Sequence, residues 1–593
     1  LAKPSLSAIK DLFAASWEAS ASERSRFSLF IVLFILSNLI ELSVPWAIGY
    51  TLSVYVAQGI TEEAFYESLK GIGAYVLLRL LHTLFHHVAR HQQNQVSYRA
   101  KMASIQKIFG SLMTFPLNWH VKHHSGENLS KLFRSAGAVE NTIGTYIWQI
   151  VEGLIKVFFA GFAIFALDFW VAVNVLVVST ISILGMVFFN RRLTDAYRAN
   201  NYFANKVNRV CVDYLSHIVT VKTLRFEDAA KKYLGAQESE GLGHCRRISR
   251  FSELKWSMTG IGYGMVIGSS MLIYFYTNKG LNEPFEITKV YVLLNYLDRI
   301  FQAIGSFTGY YSGIIEASIA YEDAKEIIQK AAAIPPPLVV SNLSRDWQTL
   351  NFEKLTYSYQ EGEKVGLKEA SFYIEKGKSI ALVGPSGGGK STLLKLLAGV
   401  YYPNSSHITT DLNDSVSIEE VAHTALLVPQ EPEVFSETLR YNLTMGDARC
   451  DAELIEIVEL CKLHRVLESL PQRFEADLAE NGQNLSVGEK QRVALARGLL
   501  RIEACQLLLL DEPTSSLDPK TEREIFESLF SRYRGRTILS ACHRLSLMPL
   551  FDQIIFVSGG RVLEQGSFSG LISKGGAFAK SWQEYENAVK NIE

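Results

Sequence analysis

The chain has 593 residues, is 48 % hydrophobic and carries a formal net charge of −1. Such a length accommodates several domains of roughly 100–200 residues each, and so small a charge supplies no global field for nucleic acid. Six cysteines (Cys211, Cys245, Cys450, Cys461, Cys505 and Cys542) form no CxxC pair, which argues against a disulfide framework or a zinc ribbon and suits a reducing compartment.

Residues 1–26 mix charged and apolar side chains without the apolar core or cleavage site of a secretory signal. They are expected to form an amphipathic elbow helix on a membrane surface. Six apolar segments follow, at roughly 27–57, 71–93, 143–167, 169–190, 256–277 and 287–315. A helix crosses a bilayer with about 20 apolar residues, and six such runs exceed what one soluble core would bury. Residues 27–325 are therefore expected to form an all-α, six-helix transmembrane domain. The connection at 94–140 holds Arg99, Lys101, Lys107, Lys122, Lys131 and Arg134. That at 191–252 runs from Arg191 and Arg192 to Arg246, Arg247 and Arg250, whereas 58–70 contains Glu62, Glu63 and Glu67. The positive-inside rule makes both long connections cytoplasmic. Their helical periodicity extends the membrane helices beyond the bilayer.

The second segment carries a polar stripe. At about 100° per residue, Arg79, His82, Thr83, His86, Arg90 and Gln93 share one face, with His87 and His91 to one side. In the sixth segment Asn295, Arg299, Gln302 and Ser306 repeat at helical spacing. Ionisable groups facing lipid are costly, so two readings stay open. One is internal pairing and snorkelling near the cytoplasmic interface, with Glu41, Asp298, and Glu152 beside Lys156 as partners. The other is a positive, partly protonatable cavity wall for an anionic or amphipathic substrate, lined by Arg79, His82, His86, Arg90, Asn295, Arg299 and Gln302. Histidines four residues apart also suit a metal, but no cysteine or carboxylate clusters with them. The 326–345 stretch contains Pro335, Pro336 and Pro337, which stop a helix and favour an extended linker.

Residues 346–593 read as a soluble α/β domain. "SIALVGPSGGGKSTLLKLLAGV" is strand, glycine loop, helix, and Gly384 to Ser391 fits the P-loop pattern. Backbone N–H groups of Gly384, Pro385-Ser386, Gly387, Gly388 and Gly389 would surround phosphate oxygens, proline contributing only its fixed turn. The helix start at Lys390, Ser391 and Thr392 adds its positive end. Lys390 would reach the β- and γ-phosphates of ATP, and Ser391 would ligate Mg²⁺. "LLLLDEP" is a buried strand ending in Asp511 and Glu512, where ligands bind in open α/β sheets. Asp511 would hold Mg²⁺, and Glu512 would polarise the attacking water as general base.

From about 350 to 575 the chain resembles the nucleotide-binding domain of ABC transporters. "NLSVGEKQRVALARGLL" stands where that family has its LSGGQ signature; Ser486 and Gly488 match, Val487 and Glu489 depart. The resemblance implies that Ser486, Gly488 and Glu489 cap ATP bound to the P-loop of another subunit, with Glu489 placing charge near the nucleotide. It implies that Tyr359 stacks on adenine, that Gln430 senses Mg²⁺ and the membrane domain, that Asp518 belongs to the D-loop, and that His543 contacts the γ-phosphate. The first 325 residues resemble exporters with six helices and one nucleotide domain per chain. "LNWHVKHHSGENLSKL" and "YLSHIVTVKTLRFEDAAKKY" look like coupling regions.

One P-loop and six spans are half of that family's working unit. The resemblance thus implies a homodimer, or a heterodimer with a related half-transporter, in the lipid bilayer of a bacterial inner (cytoplasmic) membrane, with the nucleotide domain in the cytoplasm. It implies ATP-driven export or flipping by alternating access of a small molecule, lipid or peptide. An importer on the same scaffold and an ATP-gated regulatory protein or channel are the alternatives.

Overall fold

The computed structural model describes residues 6–116, 119–120, 123, 125–279, 287–334, 343–359, 365–412, 414–479, 482 and 484–590. Lys122, Pro335, Pro336 and Pro337, and Glu480, Asn481 and Gln483 of the stretch before the signature, lie outside them. The chain divides into two compact units, one of Leu1–Phe115 with Trp119–Ile334, the other of Pro116–Asn118 with Pro335–Glu593.

The first unit is helical. It comprises α1 (Leu6–Ala19), α2 (Arg24–Gln58), α3 (Glu62–Met113), α4 (Ser125–Asn141), a π-turn (Thr142–Tyr146), α5 (Ile147–Leu167), α6 (Phe169–Ser216), α7 (Ile218–Thr223), α8 (Glu227–Thr277) and α9 (Ile287–Ala333). The 52 residues of α3 span about 78 Å at 1.5 Å each, more than twice the hydrocarbon thickness of about 30 Å. The continuous helices expected from periodicity are therefore present. Among the described residues four helical stretches are long and apolar enough to cross a membrane: Ala21–Gln58, Glu62–Met113, Ser125–Leu167 and Glu227–Thr277. In α6 the apolar stretch among the described residues is Phe169–Gly185. Asn295, Asp298, Arg299 and Gln302 interrupt the apolar first half of α9, which is not among these four.

Local chemistry sets the helix ends. Thr61 caps α3 by accepting from Ala64 N at 3.1 Å, with Glu62 and Glu63 in the first turn. Asp168 caps α6 through Val171 N and also accepts from Thr277 Oγ1 at the end of α8. Helices α2 and α3 pack along each other, as do α6 and α8. A Cβ on Gly71 would lie 2.2 Å from Thr51 Oγ1 and 3.1 Å from the Ala47 carbonyl, so only glycine permits that approach.

Helix α1 forms as expected but differs in placement. Its Ala8, Leu12 and Ser16 are buried against α3, α4 and α9 rather than presented to a membrane. Ion pairs Asp11–Lys325 and Glu18–Lys107 fasten it, and the buried Glu23 that follows meets Arg26 and Arg99. Helix α9 also runs through the first residues of the expected linker, to Ala333.

The second unit holds two sheets. Strands β1 (Thr349–Ser358), β2 (Val365–Glu375) and β4 (Ser405–Thr410) form an antiparallel sheet ordered β2-β1-β4. Strands β3 (Ser379–Val383), β5 (Ala425–Val428), β6 (Leu507–Asp511), β7 (Thr537–Ala541), β8 (Gln553–Ser558) and β9 (Arg561–Gly566) order as β5-β6-β7-β3-β8-β9, parallel except for β8-β9. Every residue of β3, β6 and β7 is buried, as in parallel strands covered on both faces, and β6 accordingly reads as an apolar run up to Asp511. Helix α10 (Lys390–Leu397) and the sheets enclose one core; a second gathers around α11 (Val487–Leu499) and α12 (Pro519–Arg532). Leu343 already belongs to the first core, so packing of this domain begins slightly before the expected residue 346.

Candidate functional site

The turn from β3 into α10 builds a phosphate cradle. Gly384 has φ +150°, and a Cβ there would lie 1.8 Å from the Val557 carbonyl; Gly389 has φ +111°. Neither position admits another residue without strain. The ammonium of Lys390 is buried and donates to the carbonyls of Gly384 (2.9 Å) and Pro385 (3.2 Å). Burial pushes its pKa down, opposed by Glu512 and Asp511.

The end of β6 supplies the acids. Ser391 Oγ donates to Asp511 Oδ1 at 2.9 Å. Burial pushes the Asp511 carboxyl up; the Ser391 bond opposes this and Glu512 reinforces it. Glu512 takes a left-handed backbone, φ +50°, which is costly for a non-glycine residue. Its two oxygens are held separately. Gln430 Nε2 donates to Oε2 at 2.9 Å, and His543 Nε2 lies 2.5 Å from Oε1. Gln430 follows β5 and His543 follows β7, the two neighbours of β6, so the sheet order itself brings the three together.

A cavity of about 540 Å³ is lined by Tyr359, Gly366, residues 386–392, Gln430, Glu512 and His543. It thus joins Ser386, Gly387, Gly388, Gly389, Lys390, Ser391 and Thr392 with the three groups from the sheet. Gly384, Pro385 and Asp511 are not in its lining but accept hydrogen bonds from Lys390 and Ser391, which are. Tyr359 donates or accepts at Thr392 Oγ1, 2.6 Å away, and its ring packs edge-on against Tyr357 and Tyr401. Gly366 is a lining residue that motif reading passes over, since it lies in no glycine loop; a Cβ there would meet Thr392 and Tyr359 at 3.0–3.1 Å.

Ser486, Gly488, Glu489 and Asp518 do not line this cavity. Ser486 caps α11 in a reciprocal arrangement: its Oγ accepts from Glu489 N, and Glu489 Oε2 accepts from Ser486 N and Oγ, both at 2.8 Å. The Glu489 carboxylate is turned back onto its own helix. Asp518 caps α12 through Thr521 N at 2.9 Å, with Pro519 in the first turn. A Cβ on Gly488 would lie 2.8 Å from Leu517, so the signature helix sits tight against the loop 512–518.

The membrane stripe resolves into partners. Arg90 donates to Gln93 and to the Gly144 carbonyl, and Gln93 Nε2 donates to the Ile143 carbonyl at 2.7 Å. Both side chains satisfy carbonyls of the π-turn. His82 Nδ1 meets Ser37 Oγ at 2.9 Å, and His86 lies among Phe34, Trp148, His82 and His87. Arg299 pairs with Glu41 at 3.7 Å, Gln302 donates to Asp298, and Asn295 donates to the Tyr291 carbonyl. Arg79 is exposed, its guanidinium near the Tyr75 ring. Among the described residues no group of three His, Cys, Asp or Glu could hold a metal.

Residues 27–242 match the family described as ABC transporter transmembrane region, and residues 367–515 the family described as ABC transporter. The chain is 28 % identical over 503 residues to "ATP-binding cassette sub-family B member 6" of Mus musculus, covering 82 % of this chain but 58 % of that protein. It is 27 % identical over 583 residues to "ATM1-type heavy metal exporter" of Novosphingobium aromaticivorans, covering 95 % and 93 %. "Heavy metal tolerance factor 1" of Caenorhabditis elegans is 28 % identical, covering 82 % of this chain and 61 % of its own. The chain therefore spans less than two thirds of the length of several of its curated relatives. A solved structure of a bacterial Atm1-family ABC exporter with ATP bound shares the fold, with TM-score 0.81 at 23 % identity over 95 % of this chain and 98 % of that one.

Proposed function

The chain belongs to the ABC transporter family as an exporter-type half-transporter, and on that premise we propose that it hydrolyses ATP to export or flip an anionic or amphipathic compound across a membrane. The observation that carries this reading is the single cavity that joins Lys390, Gln430, Glu512 and His543. Lys390, now resting on P-loop carbonyls, turns to the phosphates when they arrive. Glu512, with each oxygen oriented by a separate partner, accepts the proton of the attacking water. His543 holds that carboxylate and contacts the γ-phosphate. Ser391, Asp511 and the amide oxygen of Gln430 offer the hard oxygen donors that suit Mg²⁺, which when bound there neutralises phosphate charge.

Two copies form the working unit. In support, the cradle of one chain lacks its own Ser486, whose helix start lies outside the cavity. Tyr359 stacks on adenine after leaving Thr392. ATP binding and hydrolysis shift the helical unit between inward- and outward-facing forms. The membrane is a bacterial cytoplasmic membrane, with the nucleotide unit on the cytoplasmic side. Exposed Arg79 beside the histidines favours an anionic cargo. The names of two relatives extend this to heavy metals, carried here as anionic complexes.

The test is ATPase activity in lipid nanodiscs across a panel of anionic, amphipathic and neutral compounds. Stimulation by anionic members, lost in Arg79→Ala, is expected. ATP-dependent uptake into inverted vesicles gives the direction. Uptake only into right-side-out vesicles would replace export with import, and current without ATP would indicate a channel.

A further inference from the structure

Helix α12 carries a buried stripe of Ile525, Phe526 and Leu529, and Glu522 occupies the same stripe one turn earlier. A carboxylate that is 5 % exposed on such a face needs partners. It has two. Thr514 Oγ1 donates to Oε1 at 2.7 Å, and Arg544 Nη1 lies 2.8 Å from Oε2. The Arg544 guanidinium also donates, through Nη2, to the Leu517 carbonyl at 2.6 Å.

Two hydrogen bonds, from Thr514 and to Leu517, and the Glu522–Arg544 ion pair, which lacks hydrogen-bond geometry, tie together two loops that bear on the reaction. Thr514 and Leu517 lie in the loop that leaves Glu512 and ends at Asp518; Arg544 directly follows His543. The same loop is held on its other side by the buried Gln491 of the signature helix, which donates to Ser515 Oγ at 3.0 Å and accepts from Ser516 N at 3.1 Å. The loops bearing His543 and Glu512 are thus joined by a crosslink of contacts outside the cavity lining as well as by the contact within it. No part of the crosslink lines the cavity.

We propose that Glu522 and Arg544 are positioning residues that lock the His543 loop to the 512–518 loop and so govern ATP turnover without governing ATP affinity. The proposal rests on the hydrolytic reading given above. A fixed carboxylate, guanidinium and loop carbonyl leave His543 no freedom to drift from Glu512, and displacements of about 1 Å cost about 10²-fold in rate.

The test compares the full-length chain in nanodiscs with Glu522→Gln, Arg544→Lys and the double variant Glu522→Gln with Arg544→Gln. Measured together are kcat, KM, the dissociation constant of a fluorescent ATP analogue, and thermal stability. Removing one charge from a buried pair destabilises more than removing both, so the double variant retains the fold. Arg544→Lys keeps the charge but loses the fork that reaches Leu517. We expect kcat to fall about tenfold or more in the double variant and less in Arg544→Lys, with KM and analogue affinity within about twofold. Wild-type kcat in either well-folded variant, or a loss of affinity in step with kcat, would overturn the proposal. Absence of turnover in the wild type would instead defeat the hydrolytic reading itself.

Discussion

At Ser486 the start of the signature helix already holds an anion, its own Glu489. Under the proposed pairing of copies, a phosphate from the second subunit would compete with that carboxylate for the same N–H, hydroxyl and dipole. Charge at a helix N-terminus is worth about 0.3–1 kcal/mol, which corresponds to a factor of about two to five. Glu489→Gln is expected to raise apparent ATP affinity by that factor in steady-state ATPase titrations; an unchanged KM would show that Glu489 gives way freely. Asp511 makes the second residue-scale case. Its carboxyl is pushed up by burial, so the folded chain holds that proton more tightly than the unfolded one, whose carboxyl titrates near about 3.9. The resulting stability is present below the unfolded value and lost as pH rises through the folded one. At neutral pH and without Mg²⁺, Asp511→Asn is therefore expected to unfold at higher temperature than the wild type while failing to hydrolyse ATP. Equal melting temperatures from pH 4 to pH 8 would contradict this.

Helices and strands differed in how much of their role could be read beforehand. The strand β6 and its acids were legible because a parallel strand covered on both faces must be an unbroken apolar run. The P-loop was legible because only glycine tolerates the backbone at 384 and 389. The polar stripe of α3 was legible as helical spacing, but not the partners its side chains take. Arg90 and Gln93 turn to carbonyls of the Thr142–Tyr146 π-turn, and nothing in "TIGTY" marks a widened turn by composition or period. Glu522 carried a visible signal, one acid on an apolar helical stripe, that motif reading passes over. Helix α1 was recognised as amphipathic, yet its apolar face could not be assigned to protein or lipid from one sequence. The turn that follows α1 is fastened by Glu23, itself buried and paired with Arg26 and Arg99. Glu23→Ala should cost about 1.5–3 kcal/mol, the range for hydrogen bonds to charged groups. The more exposed pair Asp11–Lys325 should cost no more than about 1 kcal/mol on Asp11→Ala. Chemical unfolding in detergent separates the two, and equal losses would contradict the assignment.

At the scale of the whole molecule, the chain pairs a unit of long helices with a unit carrying one nucleotide cavity. That cavity collects its groups from β3, β5, β6 and β7, so the sheet order does the assembly. The chain's own Ser486, at the start of the signature helix, does not line it. ATP-driven transport by paired copies accounts for both facts. The most direct measurement is single-turnover and steady-state ATP hydrolysis by the full-length protein in nanodiscs, wild type against Glu512→Gln. Removing a positioned general base is worth about 10²–10⁴-fold. Turnover is expected to fall by that factor in the variant, with ATP still bound and retained. Unchanged hydrolysis in Glu512→Gln would contradict the account.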